Sequence, residues 1–236
     1  MDNVSSSSRS AVLVSPTITG AGSPGALRAD TTRVLRNTYA LLSMTLLFSA
    51  AVAGASVAFG LPAPGILLTL VGYFGLLFVV HKLRDRAAGI GAVFALTGFM
   101  GYTLGPVLTR TLSLPDGGQV IALALGATGA TFLAMSAWVL KTRRDFSFMG
   151  GFLFAGMVIA LLAGLGAMFF QVPALGLAVS AMVALLSAGL ILFETSRIVN
   201  GGETNYLLAT VSLYVSLFNL FTSLLSLFGF GGGSDD

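Results

Sequence analysis

Glu194, Arg197 and Glu203 fall within ten residues of one another in a chain in which only 9% of residues are charged. On a helix, a carboxylate and a guanidinium three residues apart are neighbours. Two chemistries are open to the Glu194–Arg197 pair. At a membrane surface it is an ion pair of small worth. Inside a span it is a buried, gating or proton-sensitive carboxylate, because an ionisable group at that depth is a functional site by default. Glu203 stands where the next apolar run begins, and the positive end of a helix favours its charge. Further on, Ser212, Ser216, Asn219, Ser223 and Ser226 recur at intervals of 4, 3, 4 and 3, which places all five on one helical face. Asn205 and Ala209 extend that face. Such a stripe either bonds neighbouring helices or lines a hydrated cavity or ion path; none of its members is ionisable. Leu207, Val211, Phe218, Phe221 and Leu225 occupy the opposite side, which reads as a lipid-compatible face.

Other chemistry is thinly supplied. There is no cysteine, so neither disulfides nor thiolates are available. The single histidine, His81, stands beside Lys82 at the end of an apolar run and reads as a solvated interfacial group. With no second His and no Cys it offers no metal site. No Asp lies inside an apolar run, and no serine has a placed base. Neither an enzyme nor a cofactor is expected. The basic residues form short, separate clusters, which argues against nucleic-acid binding.

The elements that must position these groups follow from hydropathy. Of the 236 residues, 56% are hydrophobic, whereas a soluble domain carries about 25% charged residues. Most of the chain must therefore face lipid or other helices. Seven apolar segments of near-span length run over about 37–59, 64–81, 87–108, 118–140, 147–170, 173–193 and 205–230. They lack the alternation of barrel strands, so the expected fold is an all-α integral membrane protein. Pro62 and Pro64 separate the first pair, and Gln171 to Pro173 the fifth and sixth. Asn200-Gly201-Gly202-Glu203 is a turn signal closing the sixth. Glu194, 21 residues past Pro173, falls roughly 30 Å along that helix, near a membrane edge.

Eleven of the twelve basic residues lie at one set of span ends, and only Arg110 at the other. That bias predicts a cytoplasmic N-terminus and, with seven crossings, a periplasmic C-terminus. Small residues four apart read as packing faces, with a pore lining as the alternative: Gly101 and Gly105, Gly126 and Ala130, and the series Gly176, Ser180, Ala184, Ala188. Residues 1–32 read as a flexible cytosolic tail, without the order of a signal peptide. Asp30, Thr31 and Thr32 form a candidate N-cap. Residues 33–230 form the membrane domain and 231–236 a short polar tail.

Two stretches carry a resemblance. "TGFMGYTLGP" (Thr97 to Pro106, with Gly98, Gly101, Gly105 and Pro106) and "FETSRIVNGGETNYLLATVSLYVSLFNLF" (Phe193 to Phe221, with Gly201 and Gly202) resemble the hallmark stretches of the Bax-inhibitor, or TMBIM, family. The likeness runs from about Arg33 to Phe230. It implies a seven-helix bundle with one central helix and no enzymatic activity. For a bacterial branch it implies a modulator that binds and restrains the membrane AAA protease FtsH, linked to the regulators HflK and HflC, with the N-terminal tail as the segment the protease engages. Other members are proposed to leak calcium in a pH-dependent way, through two acids that share a proton. Carried over, the first acid falls on Glu194 and the second on Ser216. Half of the pair is missing here, and the ion-leak reading ranks behind the protease reading.

Overall fold

The computed structural model describes residues 24–231, with side chains over 31–229. Seven long helices follow one another: α1 (Pro24–Ala58), α2 (Ile66–Leu83), α3 (Ala88–Leu112), α4 (Gly117–Thr142), α5 (Gly150–Phe169), α6 (Pro173–Val199) and α7 (Tyr206–Gly231), with a short 3₁₀ turn (Ser147–Met149) before α5. All seven are long and apolar enough to cross a membrane. In lipid the backbone must satisfy its own hydrogen bonds, which leaves the helix as the form for such runs. Two boundaries differ from expectation. Helix α1 starts at Pro24, so Asp30 to Thr32 lie within it instead of capping it, and residues 24–32 are not a loose tail. Residues 1–23 of the expected arm and 232–236 of the expected C-terminal tail lie outside the described residues. Helix α6 runs on to Val199, which puts Glu194 inside a helix and not at its end.

α7 is the centre. None of its described residues is exposed, and α1, α2, α3, α4 and α6 all pack on it. Among the described residues α5 packs only on α6 and the 3₁₀ turn. This overturns the lipid face expected for α7: Leu207, Val211, Phe221 and Leu225 are all buried and Phe218 is half-buried, because the ring closes on both sides of the helix. The apolar surface the fold leaves open lies on the other helices, for example at Leu47, Leu67, Phe78, Phe154 and Leu185.

α1 and α3 approach closely, and the glycines of the quoted motif are why. A Cβ at Gly101 would run into the Ser49 carbonyl oxygen, one at Gly105 into the Ser56 hydroxyl, and one at Gly98 into the Phe48 ring. Pro106, inside α3, removes the amide that would bond the Tyr102 carbonyl; the Ser56 hydroxyl of α1 donates to that carbonyl at 3.4 Å instead. The stripe on α4 behaves otherwise. Val120, Ala124 and Thr128 turn inward, which leaves Gly126 and Ala130 exposed. Among the described residues a Cβ at Gly126 meets nothing within 4 Å, contrary to the packing face expected there. On α6, Ala184 packs on the core while Gly176 faces open space.

A candidate functional seam at the basic end

The last turns of α6 and the entry to α7 carry the charged cluster. The α6 carboxy end closes on Asn200. The Gly202 amide donates to the Arg197 carbonyl at 2.8 Å and the Gly201 amide to the Ile198 carbonyl at 3.3 Å. Gly201 sits at φ 75°, a left-handed conformation that glycine adopts without a Cβ penalty. This turn folds Glu203 back over α6. Arg197 then bridges two carboxylates: its Nη1 lies 3.4 Å from Glu194 Oε2 and its Nη2 3.3 Å from Glu203 Oε2. Glu194 is buried, and the guanidinium also lies over the Phe193 ring, 5.6 Å from its centroid. Glu194 is thus both buried and ion-paired with one cation, a geometry common to the two sequence readings.

The remaining polar groups tie this bridge to three loops. Glu203 Oε1 accepts from the Asn205 amide at 2.9 Å. The residue that caps α7 is therefore Asn205, whose Oδ1 accepts from the Leu207 and Leu208 amides at 3.0 and 3.3 Å; Glu203 braces it. The Asn205 side-chain amide reaches the loop after α2, donating to the Arg84 carbonyl at 2.9 Å and to Asp85 Oδ1 at 3.2 Å. From α6, Ser196 Oγ donates to the Arg144 carbonyl at 3.1 Å and accepts from the Phe146 amide at 2.9 Å. Beside it, Asn200 donates to the Arg144 carbonyl at 3.4 Å. In that same loop, the Ser147 hydroxyl and then its amide hold the Asp145 carboxyl below its ordinary pKa. Lys82 and Lys141 in the last turns of α2 and α4, and the loops after them that carry Arg84, Arg86, Arg143 and Arg144, thus lie at the same end of the bundle as Arg197, and Arg110 stands at the far end of α3.

The α7 stripe is placed differently from the seam. Ser216 and Ser223 are buried, and Ser212, Asn219 and Ser226 half-buried. Ser216 donates to the Ser212 carbonyl at 2.9 Å and Ser226 to the Thr222 carbonyl at 3.0 Å, so these hydroxyls bond their own helix. The Ser216 hydroxyl bonds Ser212, and the Glu194 carboxylate bonds Arg197. The interhelical bonds of α7 come from residues the pattern did not single out. Tyr214 lies with its hydroxyl 2.5 Å from Ser49 Oγ on α1 and donates to the Thr97 carbonyl on α3 at 3.2 Å. Thr210 donates to the Thr38 carbonyl at 3.3 Å and to its own helix at the Tyr206 carbonyl, 2.7 Å away. A tyrosine hydroxyl halfway along a span is itself a signal, since it must find a partner there. Among the described residues no three His, Cys, Asp or Glu stand close enough to hold a metal ion.

A bundle of seven spans with α7 at its centre, with glycine-mediated packing of the first helix on the third and a carboxylate seam at the basic end, defines the class. A family model described as inhibitor of apoptosis-promoting Bax1 matches residues 31–233, and the chain belongs to the Bax-inhibitor family of membrane proteins. Among its relatives is the modulator of FtsH protease YccA of Escherichia coli K12, 56% identical over 201 residues, which span 85% of this chain and 91% of that one. The same identity and coverage hold for a protein of E. coli O6:H1 named inner membrane protein YccA. A membrane protein of Vibrio cholerae is 46% identical over 207 residues, covering 87% of this chain and 93% of its own.

Proposed function

We propose that this chain is a non-enzymatic protein of the bacterial inner membrane that binds and restrains the protease FtsH, in company with HflK and HflC. The observation that carries the reading is the 56% identity, across 85% of the chain, to a relative named for modulating that protease. The seam is consistent with it: the charged groups are spent on one another and on loop backbone, leaving no acid–base pair set up for turnover. The excess of basic residues at that end of the bundle supports a cytoplasmic N-terminal arm, which in this reading offers the protease its point of engagement.

Affinity purification from membranes tests this, with the full chain and with a deletion of residues 2–23 that spares α1. The full chain retains FtsH, and the deletion slows its turnover while leaving the bundle folded. Absence of FtsH from the full-length eluate overturns the reading; unchanged binding and turnover in the deletion overturns the role of the arm alone. An ion leak of the paired-acid kind would need a second carboxylate against Glu194. The position that the resemblance gives to that acid is Ser216 here, so proteoliposomes should pass no calcium that depends on pH between about 6 and 8, the range in which a coupled pair titrates.

A further inference from the structure

A cleft of about 850 Å³ opens at the basic end, where the start of α1 meets the carboxy ends of α4 and α6 and the lead-in to α7. Its lining is of two kinds. Val34, Leu35 and Val199 are apolar and half-buried, while Arg33 and Arg143 are exposed. Neither arginine meets a carboxylate among the described residues, where the ion pairs are Arg84–Asp85, Arg197–Glu194 and Arg197–Glu203. Glu203, the acid in the lining, is already bonded to Arg197 and to the Asn205 amide. Among the described residues the cleft therefore holds two cations that no carboxylate answers.

Arg143 is also held against its conformational preference. It closes α4 at φ 50°, its amide donating to the Val139 carbonyl at 2.7 Å. Glycine fits that left-handed position without a Cβ clash, so a long cationic side chain there is costlier than the turn requires. Strain of this sort collects at binding sites.

We propose that the cleft binds the headgroup of an anionic phospholipid, with Arg33 and Arg143 on the phosphate and the apolar lining against the first methylenes of its tails. The location decides for a lipid over a free anion. The cleft sits at the ends of spans α1, α4, α6 and α7, at headgroup depth, and basic pockets between membrane helices suit such headgroups. Inorganic phosphate would engage the arginines and leave the apolar lining unused.

The test uses the purified full-length protein in a neutral detergent, titrated with phosphatidylglycerol, phosphatidylcholine, inorganic phosphate or an acidic hexapeptide. Thermal shift and native mass spectrometry report binding. Phosphatidylglycerol should bind and raise Tm, with affinity falling about fivefold in Arg33→Gln or Arg143→Gly and about thirtyfold in the double variant. Ligand-free Arg143→Gly should melt no lower than the parent, since glycine relaxes the turn, and Arg110→Gln at the opposite end should bind as the parent does. Equal binding of phosphatidylcholine, phosphate or the peptide overturns the proposal, as does full retention of phosphatidylglycerol by the double variant.

Discussion

Arg197 neutralises two carboxylates, one of them buried, so removing its charge leaves Glu194 without a counter-charge. Arg197→Gln should cost about 1–3 kcal/mol, less than the loss of a fully buried partner because the guanidinium is partly exposed. Adding Glu194→Gln should recover part of that loss, since Glu203 alone is then left without its cation. Unfolding of both variants in mixed micelles measures this, and equal losses in the single and the double variant would sink the bridging role. Tyr214→Phe keeps the ring in the core but drops the bonds to Ser49 and Thr97, at about 1 kcal/mol in the same assay. Sequence reading finds Glu194, Arg197 and Glu203 easily because charge is so scarce in the chain. Thr210 and Tyr214 escape it because a lone hydroxyl in an apolar run makes no pattern, and they stand on the side of α7 assigned to lipid.

At the scale of elements, two glycine substitutions should separate helix packing from helix propensity. Gly101→Ala puts a methyl against the Ser49 backbone and should destabilise by about 1–3 kcal/mol, as overpacking does. Gly126→Ala meets nothing within 4 Å and should be neutral or slightly stabilising. A thermal melt of both in one detergent checks the contrast; equal effects would mean that α1 and α3 do not rely on close approach. The spans themselves are legible from hydropathy, and so is the turn at Gly201 and Gly202. Which small residues meet a neighbour is not, because spacing by four marks a smooth face without saying whether lipid or protein covers it. Gly101 and Gly126 have the same local signature and opposite surroundings.

For the whole molecule, the basic ends of α1, α2, α4 and α6 gather on one side, and the charge rule predicts a cytoplasmic location for that side. The chain has no cysteine, so single cysteines report topology directly. With an impermeant thiol reagent on intact cells, Asp116→Cys should be labelled, while Asp145→Cys should react only after the membrane is opened. The reverse pattern would invert the orientation. That α7 is the hub is not legible from its composition, because in lipid a central helix and a peripheral one are equally apolar; only the family resemblance pointed to it.

The hub's place in the chain has a consequence for biogenesis. Six helices leave the ribosome before α7, and during synthesis the five of them that pack on it have nothing to close around. Tyr214 and Thr210 arrive after the partners they bond on α1 and α3, which until then lack those interhelical bonds. A nascent chain arrested before residue 206 should therefore be an open set of hairpins, recognised and cleared by quality control, and release of the last span should snap the assembly shut in a single late step.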